Sequence, residues 1–337
     1  MTVKPRACFL TAAGEAGIRA AYSDESRARL AAAFALDAPF YTSLEDIPGY
    51  DAVALFSTWG MPAPDAATLT RRLPRLEAVF YAAGSVQSFA CPFLERGIRV
   101  YSAARANAVP VAEYTVAAIL LSNKGFWQSA RHNLAGRRGE AVRLSRAQPG
   151  NYAARIGIIG AGAVGRLVIE KLTALDAELE IWVFDPFLPA AEARRLGVRL
   201  VDGLPELFAS CQVISNHLAN NAETRGMLDA ACFGRMSPTA TFINTGRGAQ
   251  VVEADLVAAL REEPGRFAIL DVTWPEPSDP EGPLHKLDNI ILTPHIAGSQ
   301  ANEIWRMGAL MTRAAEDWCA GRPSPYEVSL EMLRTMA

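Results

Sequence analysis

Cysteine is scarce and scattered in this chain. Cys8, Cys91, Cys211, Cys232 and Cys319 form no Cys-x-x-Cys pair and no Cys/His spacing suited to a metal. That excludes a disulfide scaffold and a zinc module, and no metal site is expected. Most of the five sit among apolar neighbours, so reduced buried thiols are expected. Long apolar runs are missing too. The longest, over 109–121, is interrupted by Glu113 and is too short to span a bilayer. The N-terminus has no apolar stretch of the kind a signal peptide needs. No membrane partner and a cytoplasmic location are therefore expected. Excess charge of either sign is absent as well. The net charge of −3 gives no electrostatic footprint for nucleic acid. No internal repeat or low-complexity tract stands out beyond a bias to Ala.

What is present is ordinary globular material, 50% hydrophobic and 20% charged, in 337 residues. That is more than one core usually holds, so two domains are expected. The first part alternates. Strands are predicted at 7–11, 52–56, 78–81 and around Val100, with helices over 26–36, 65–73 and 89–96. This is the pattern of a small parallel βα domain. Two loops leave its strand ends, Ser57-Thr-Trp-Gly-Met61 and Ala82-Ala-Gly-Ser85, at the edge where open α/β sheets bind ligands. A helix over 107–121 follows, with Asn107 as a possible cap. Next comes an Arg-rich arm over 126–139 with an exposed-looking Trp127, either a contact for a partner subunit or a solvated face.

The stretch Arg155-Ile-Gly-Ile-Ile-Gly-Ala-Gly-Ala-Val-Gly-Arg166 carries more information. A short apolar strand runs into Gly160-x-Gly162-x-x-Gly165, and Leu167, Val168, Ile169 and Leu172 then recur at helical spacing. Strand, glycine turn and helix form the context of a dinucleotide-binding fingerprint. Gly160 permits the tight turn, Gly162 lets backbone approach a pyrophosphate, and Gly165 lets helix pack on strand. The next apolar strand ends in Asp185, 20 residues after Gly165, where a carboxylate accepts from an adenosine ribose and repels a 2′-phosphate. NAD is thus favoured over NADP, although Asp185 could also be a turn cap before Pro186. Further strands are predicted at 212–215, 240–244, 268–272 and 289–292, with helices at 190–196, around Leu204 and Phe208, and at 253–260. That makes about six strands, a complete dinucleotide-binding domain. A last helix over 300–320 would carry the chain back to the first domain.

Three polar residues stand just beyond strand ends in this second sheet: Arg247, Glu276 and His295. They belong to the same carboxyl edge as the glycine turn. An Arg can fork onto a carboxylate and polarise a carbonyl. A His can move a proton at the carbonyl oxygen, and a Glu beside it favours its protonated form and fixes its tautomer. The set suits hydride transfer between a nicotinamide and a 2-oxo acid. Each residue also has a plain structural alternative, as a turn residue, a solvated loop acid and a strand-end histidine. His217, ending the strand before it, could line the cofactor pocket.

These residues resemble a known family. Gly160-Ala-Gly-Ala-Val-Gly165, Asn244-Thr-Gly-Arg-Gly248, Asp271-Val-Thr-Trp-Pro-Glu-Pro277 and Thr293-Pro-His-Ile-Ala-Gly298 look like the ordered signatures of the D-isomer-specific 2-hydroxyacid dehydrogenases. Asn107-Ala-Val-Pro-Val-Ala-Glu113, Gly97-Ile-Arg-Val100 and Thr224-Arg-Gly226 also fit, so the similarity covers roughly 78–309. The resemblance implies two Rossmann/flavodoxin-like α/β domains with parallel sheets and an active site in the interdomain cleft. The substrate-binding domain would be discontinuous, 1–104 plus about 302–337, with the NAD-binding Rossmann domain at 105–301. By resemblance, Arg247 binds substrate carboxylate and carbonyl, His295 is the acid/base and Glu276 its partner. Ala163 and Val164 face the pyrophosphate and Asp185 the ribose. Asp271 holds the nicotinamide carboxamide, and Thr245 and His217 touch other parts of NAD. Gly84, Ser85 and Asn107 fall to the substrate side.

The implied activity is NADH-dependent reduction of a small 2-oxo acid to the D-2-hydroxy acid, of the glyoxylate or hydroxypyruvate type, in a homodimer. Chain length favours that type over phosphoglycerate dehydrogenase, since no regulatory domain is expected after the last helix. Glu276 stands where formate dehydrogenases look to carry Gln, which argues against formate. The sequence departs from the family in two places. Ala219-Asn220-Asn221 replaces the usual Pro-Leu-Thr, and Gly84-Ser85-Val86 replaces Gly-Val-Asp. An alternative on the same fold is an NAD(H)-sensing protein of the corepressor type. An L-specific dehydrogenase would place its glycine turn near the N-terminus, and a short-chain dehydrogenase would need Tyr-x-x-x-Lys, which does not occur. Trp59, Met61 and Arg105 are candidates for shaping the substrate pocket.

Overall fold

A computed structural model describes residues 3–48, 51–175 and 177–333. The chain divides into two compact units: the described parts of Met1–Pro110 with Ser299–Met336, and those of Val111–Gly298. Positions 1, 2, 49, 50 and 334–337 of the expected substrate domain lie outside the described residues.

Strands β1 (Arg6–Leu10), β2 (Ala35–Tyr41), β3 (Ala54–Ser57), β4 (Ala78–Tyr81) and β5 (Arg99–Ser102) belong to the first unit. The second holds β6 (Arg155–Ile159), β7 (Glu180–Phe184), β8 (Arg199–Leu200), β9 (Val213–Asn216), β10 (Thr241–Asn244), β11 (Phe267–Leu270) and β12 (Ile290–Leu292). The chain then returns to the first unit with the helix Asn302–Cys319 and β13 (Glu327–Val328).

The first sheet runs β13-β5-β4-β3-β1-β2. It is parallel except for β13, which pairs antiparallel with β5. The expected parallel α/β sheet is thus present, with an antiparallel strand added at one edge. A returning chain end needs no crossover helix to add an antiparallel strand. The helix predicted over 26–36 lies two to three residues earlier. It spans Asp24–Ala33, and Leu36 lies in β2, an unpredicted strand containing Pro39. The Ala run favours helix up to residue 33, while Pro39 biases the preceding residue to extended backbone. Pro is tolerated there because β2 is an edge strand. The helix Gly14–Ala21 was not anticipated either.

Alternation along the strands puts an aromatic row on one face. Phe40, Phe9, Phe56, Phe80 and Tyr101 are register partners across neighbouring strands. Their ring centroids are 5.4, 5.5, 5.2 and 4.8 Å apart in that order. Tyr22, Phe34 and Trp318 pack on this row, and the Tyr22 hydroxyl donates to the Phe80 carbonyl at 3.0 Å. The opposite face buries Leu10, Leu55, Val79 and Val100.

The second sheet runs β12-β11-β10-β9-β6-β7-β8, parallel throughout. Six strands were expected. The seventh is the two-residue β8, too short to show a period in sequence. Both faces are apolar. Ile159, Ile214 and Phe242 belong to one core, and Ile158, Val213 and Ile243 to the other. The strand order reverses between β6 and β9, and the carboxyl ends of those two strands form the crevice in which open α/β sheets bind ligands. Among the described residues, no helix is long and apolar enough to cross a membrane, and no group of His, Cys, Asp and Glu could hold a metal ion.

Phe80 stacks between Phe56 and Tyr101 in the aromatic row and is fully buried. Phe80→Ala should cost about 3–5 kcal/mol of stability. A urea midpoint unchanged from the parent protein would show that the row does not hold this unit together.

Candidate active site

The glycine turn lies where β6 ends. Gly160 has φ +87°, and its N–H donates to the Phe184 carbonyl at 2.9 Å. A Cβ on Gly160 would stand 2.7 Å from the His217 carbonyl oxygen, so only glycine lets β6 and β9 close at this point. The His217 N–H donates to Ile159 at 2.7 Å across the same gap. Gly162 is the N-cap of the helix Ala163–Thr173, with no side-chain cap, and a Cβ there would meet nothing within 4 Å. The first-turn N–H groups of Ala163 and Val164 thus have no side-chain cap at a positive helix end. This geometry suits a pyrophosphate.

Asp185 sits beside the turn. Its carboxylate accepts from Ala161 N at 2.7 Å and from Phe187 N at 2.8 Å. A carboxylate has about four acceptor sites, so capacity for ribose hydroxyls remains. The cap role and the ribose role are therefore compatible. The residues present fit a dinucleotide of the NAD type.

His217 is 7% exposed, and Ser215 Oγ lies 2.9 Å from its Nε2. Burial pushes the imidazole down to about 3, so it is neutral in the folded protein. Thr245, also buried, shares a hydrogen bond of 3.1 Å with the Thr115 hydroxyl.

The structure brings His295 and Glu276 together. His295 Nδ1 and Glu276 Oε1 are 2.7 Å apart, with both side chains roughly half exposed. Arg247 is close enough for the Glu276 charge to act on it. Burial lowers the guanidinium's pKa, and Glu276 opposes that shift. The guanidinium donates to the Gly246 carbonyl at 2.7 Å. The Arg247 turn lies directly on the Glu276 loop. A Cβ on Gly248 would be 2.0 Å from the carbonyl carbon of Thr273.

His295 has φ +57°, in the left-handed region. Asp271 holds it there. The Asp271 carbonyl accepts from His295 N at 3.0 Å, and its carboxylate accepts from Ile296 N, Ala297 N and Thr293 Oγ1 at 2.8, 2.9 and 2.6 Å. Thr293 in turn bonds the Tyr114 hydroxyl at 3.1 Å. The Asp271 carboxylate thus grips the histidine loop, in addition to the carboxamide role that the resemblance implies for it.

Gly84, Ser85 and Asn107 lie in the first unit. Asn107 is not the cap that its residue type suggests: the helix begins earlier, at Ala104, so Asn107 lies inside its first turns. The Ser102 hydroxyl accepts from Ala104 N at 3.1 Å and so serves the helix start instead. The same hydroxyl donates to the Gly84 carbonyl at 2.6 Å. A planar trans peptide then turns the Ser85 N–H away from Ser102. Asn107 Oδ1 accepts from Ser299 N at 2.9 Å. Trp127, expected to be exposed, is half-buried, with its indole N–H on Ser122 Oγ at 3.2 Å. Its neighbour Phe126 is the exposed ring. The Arg-rich arm is a helical hairpin, Phe126–Leu134 and Arg138–Arg146.

Several site residues were not singled out from sequence. Asn216 and Asn244, at the ends of β9 and β10, and Gln250, in the turn Gly248–Gln250, are fully buried amides. The available signal was three amide side chains close to apolar strands. The departure at Ala219-Asn220-Asn221 also has a local explanation. Asn221 Oδ1 accepts from Glu223 N and Thr224 N at 3.0 Å each, and Thr224 Oγ1 closes the turn on the Ala219 carbonyl at 2.6 Å.

Comparison with known proteins agrees with this geometry. Residues 117–297 match the family described as D-isomer specific 2-hydroxyacid dehydrogenase, NAD binding domain. The chain belongs to that family. D-3-phosphoglycerate dehydrogenase of Archaeoglobus fulgidus is 33% identical over 236 residues, which is 70% of this chain but only 44% of that protein. The chain therefore spans less than half the length of this relative. Among solved structures, apo D-mandelate dehydrogenase of Rhodotorula graminis superposes with a TM-score of 0.82 at 19% identity, covering 96% of this chain and 98% of that one. An NADPH-dependent glyoxylate/hydroxypyruvate reductase of Sinorhizobium meliloti gives 0.73 at 21% identity, covering 96% and 98%. These two likenesses show the shared fold.

The buried neutral imidazole of His217 makes a stability prediction. Above its unfolded pKa near 6.5, neither state binds a proton there. Below it, the unfolded chain takes up the proton and the folded one does not, down to about 3. Stability should fall with acid through that window, by up to ~1.4 kcal/mol per pH unit from this group. His217→Gln should remove this contribution. The check is urea unfolding between about pH 6.5 and 5, and equal losses in both proteins would contradict a buried neutral His217.

Proposed function

We propose that this chain reduces a small 2-oxo acid, of the glyoxylate or hydroxypyruvate type, to the D-2-hydroxy acid with NADH. The observation that supports this most is the 2.7 Å pair of His295 and Glu276, lying beside the Arg247 turn on a dinucleotide-type sheet. Glu276 accepts from Nδ1–H, which leaves Nε2 as the nitrogen for a substrate oxygen. Arg247 forks onto the substrate carboxylate and polarises the adjacent carbonyl. NADH, when bound, supplies the hydride that reduces the carbonyl carbon. His295 gives its Nε2 proton to the carbonyl oxygen, which becomes the hydroxyl, and the carboxylate is unchanged. Solvent then returns a proton to the imidazole. Ala163, Val164 and Asp185 hold the dinucleotide, and Asp271, Thr245 and His217 complete its surroundings.

We assign dinucleotide binding to 105–301 and substrate recognition to 1–104 with 302–337. We read the working form as a cytoplasmic homodimer. The exposed Phe126 and Leu134 on the arginine-rich hairpin favour a partner subunit over a solvated face. The relatives compared above are named as dehydrogenases or reductases, which supports catalysis over NAD(H) sensing without turnover.

A panel of glyoxylate, hydroxypyruvate, phosphohydroxypyruvate and phenylglyoxylate, followed by NADH absorbance, tests the reading. Turnover is expected on the first two. His295→Ala should lower it roughly 10³-fold while NADH still binds. No turnover on any member, or near-normal turnover in the variant, would overturn the assignment.

The cofactor preference has its own test. Asp185 is pinned against the glycine turn and should repel a 2′-phosphate. NADH should therefore give the higher kcat/KM, and Asp185→Ser should narrow the gap. A clear preference of the parent protein for NADPH would refute this reading of the β7 end.

A further inference from the structure

Gln250 belongs to no role described so far. It lies in the short 3-10 turn Gly248–Gln250 after Arg247 and has no exposed surface. Its amide reaches in two directions. Oε1 accepts from the Arg247 backbone N–H at 3.2 Å and from Asn216 Nδ2 at 2.6 Å. Nε2 donates to the carbonyls of Leu218 and Ala219 at 2.9 and 2.8 Å. Two donors and two acceptor sites are all that an amide offers, and all four are used.

The surrounding amides are also engaged at both ends. Asn216 Nδ2 also donates to Asn244 Oδ1 at 3.0 Å, and Asn216 Oδ1 accepts from Leu218 N at 3.2 Å. Asn244 Oδ1 accepts from Gly246 N at 3.0 Å, and Asn244 Nδ2 donates to the Arg247 carbonyl at 3.1 Å. The Arg247 backbone is therefore held at its N–H by Gln250 and at its carbonyl by Asn244. The segment after His217 is held by the other end of the same Gln250 amide. A planar amide cannot shift one end without the other.

We infer that Gln250 is a positioning residue that couples the 217–219 segment, beside the glycine turn, to the Arg247 turn. A dinucleotide seated against that segment would then raise the affinity of Arg247 for a carboxylate, and the reverse must hold equally. Every side-chain nitrogen and oxygen of these three buried amides has a partner, the condition under which such a network holds position. This inference rests on the roles proposed above for Arg247 and the glycine turn.

The test measures binding and needs no turnover. Oxalate, a non-reducible carboxylate probe, is titrated calorimetrically into the protein with and without saturating NADH, and NADH is titrated with and without oxalate. In the parent protein each should tighten the other, by roughly fivefold or more. Gln250→Met, which keeps the length and removes both polar ends, should bring that factor close to one. Should Gln250→Met fail to fold, Gln250→Glu keeps the acceptors for Arg247 and Asn216 and loses the paired donation to Leu218 and Ala219. It too should lose the coupling while oxalate alone still binds.

Leu260→Ala, buried in the same core but outside this hydrogen-bond network, is the control for a merely structural effect, and its coupling factor should stay at the parent value. Parent-like coupling in either folded Gln250 variant, or no coupling in the parent protein, would overturn the inference. Absence of turnover on the 2-oxo acid panel with coupling intact would instead count against the proposed reaction alone.

Discussion

The His217 N–H to Ile159 carbonyl bond, 2.7 Å long, closes the two central strands of the second sheet at the point where strand order reverses. The site depends on that closure. It presses Gly160 against the His217 carbonyl, at a distance no side chain tolerates. It thereby aims the helix Ala163–Thr173 with its free N-terminus at the crevice. Parallel strands covered on both faces leave no other place for chemistry. Side chains along β6 and β9–β11 are consumed by packing, and polar function is confined to the residues just past their carboxyl ends.

Around this crevice the polar groups are arranged in two tiers. Arg247, Glu276 and His295 are partly exposed and offer atoms to a ligand. Behind them, Asp271, Asn244 and Gln250 bond mainly to backbone, and Asn216 and Thr293 bond mainly to other side chains. The second tier determines where the first can point. His295 occupies the left-handed region because Asp271 accepts from its N–H and from the two N–H groups after it. A non-glycine residue held there costs of order 1 kcal/mol or more, which the surrounding hydrogen bonds must offset. The same logic applies to Arg247, whose peptide groups are gripped on both sides by buried amides.

The first unit reaches its order by a different route. Its sheet is held by an aromatic row in register across five strands, and the helix Asn302–Cys319 returns to cover that row with Trp318. Large rings in cross-strand register fix the pairing as firmly as hydrogen bonds do, because a one-residue slip would turn every ring to the other face. The Gly84 turn is steadied by Ser102, which also serves the start of the helix Ala104–Ser122.

Much of this was legible in the residues alone. The apolar strand, the glycine turn and the helical run at 155–172 are local patterns with local causes, and so are Arg247, Glu276 and His295 placed just beyond apolar strands. Strand pairing depends on partners far away in sequence, which is why β2, β8 and β13 went unread. Leu36 looked like the end of a helix until β1 supplied a neighbour for it. Asn107 looked like a cap because capping residues are recognised by type, and only the fold shows that Ser102 had already done that work. Sequence by itself determined the class of fold, the dinucleotide turn and the identities of the groups able to do chemistry, since each follows from the chain's own period and composition. Tertiary structure alone decided that Asp271 grips the histidine loop and that Gln250 joins Arg247 to the segment after His217. Those contacts span 25 and 32 residues of sequence, and hydrogen-bond geometry over such separations exists only once the strands between have paired.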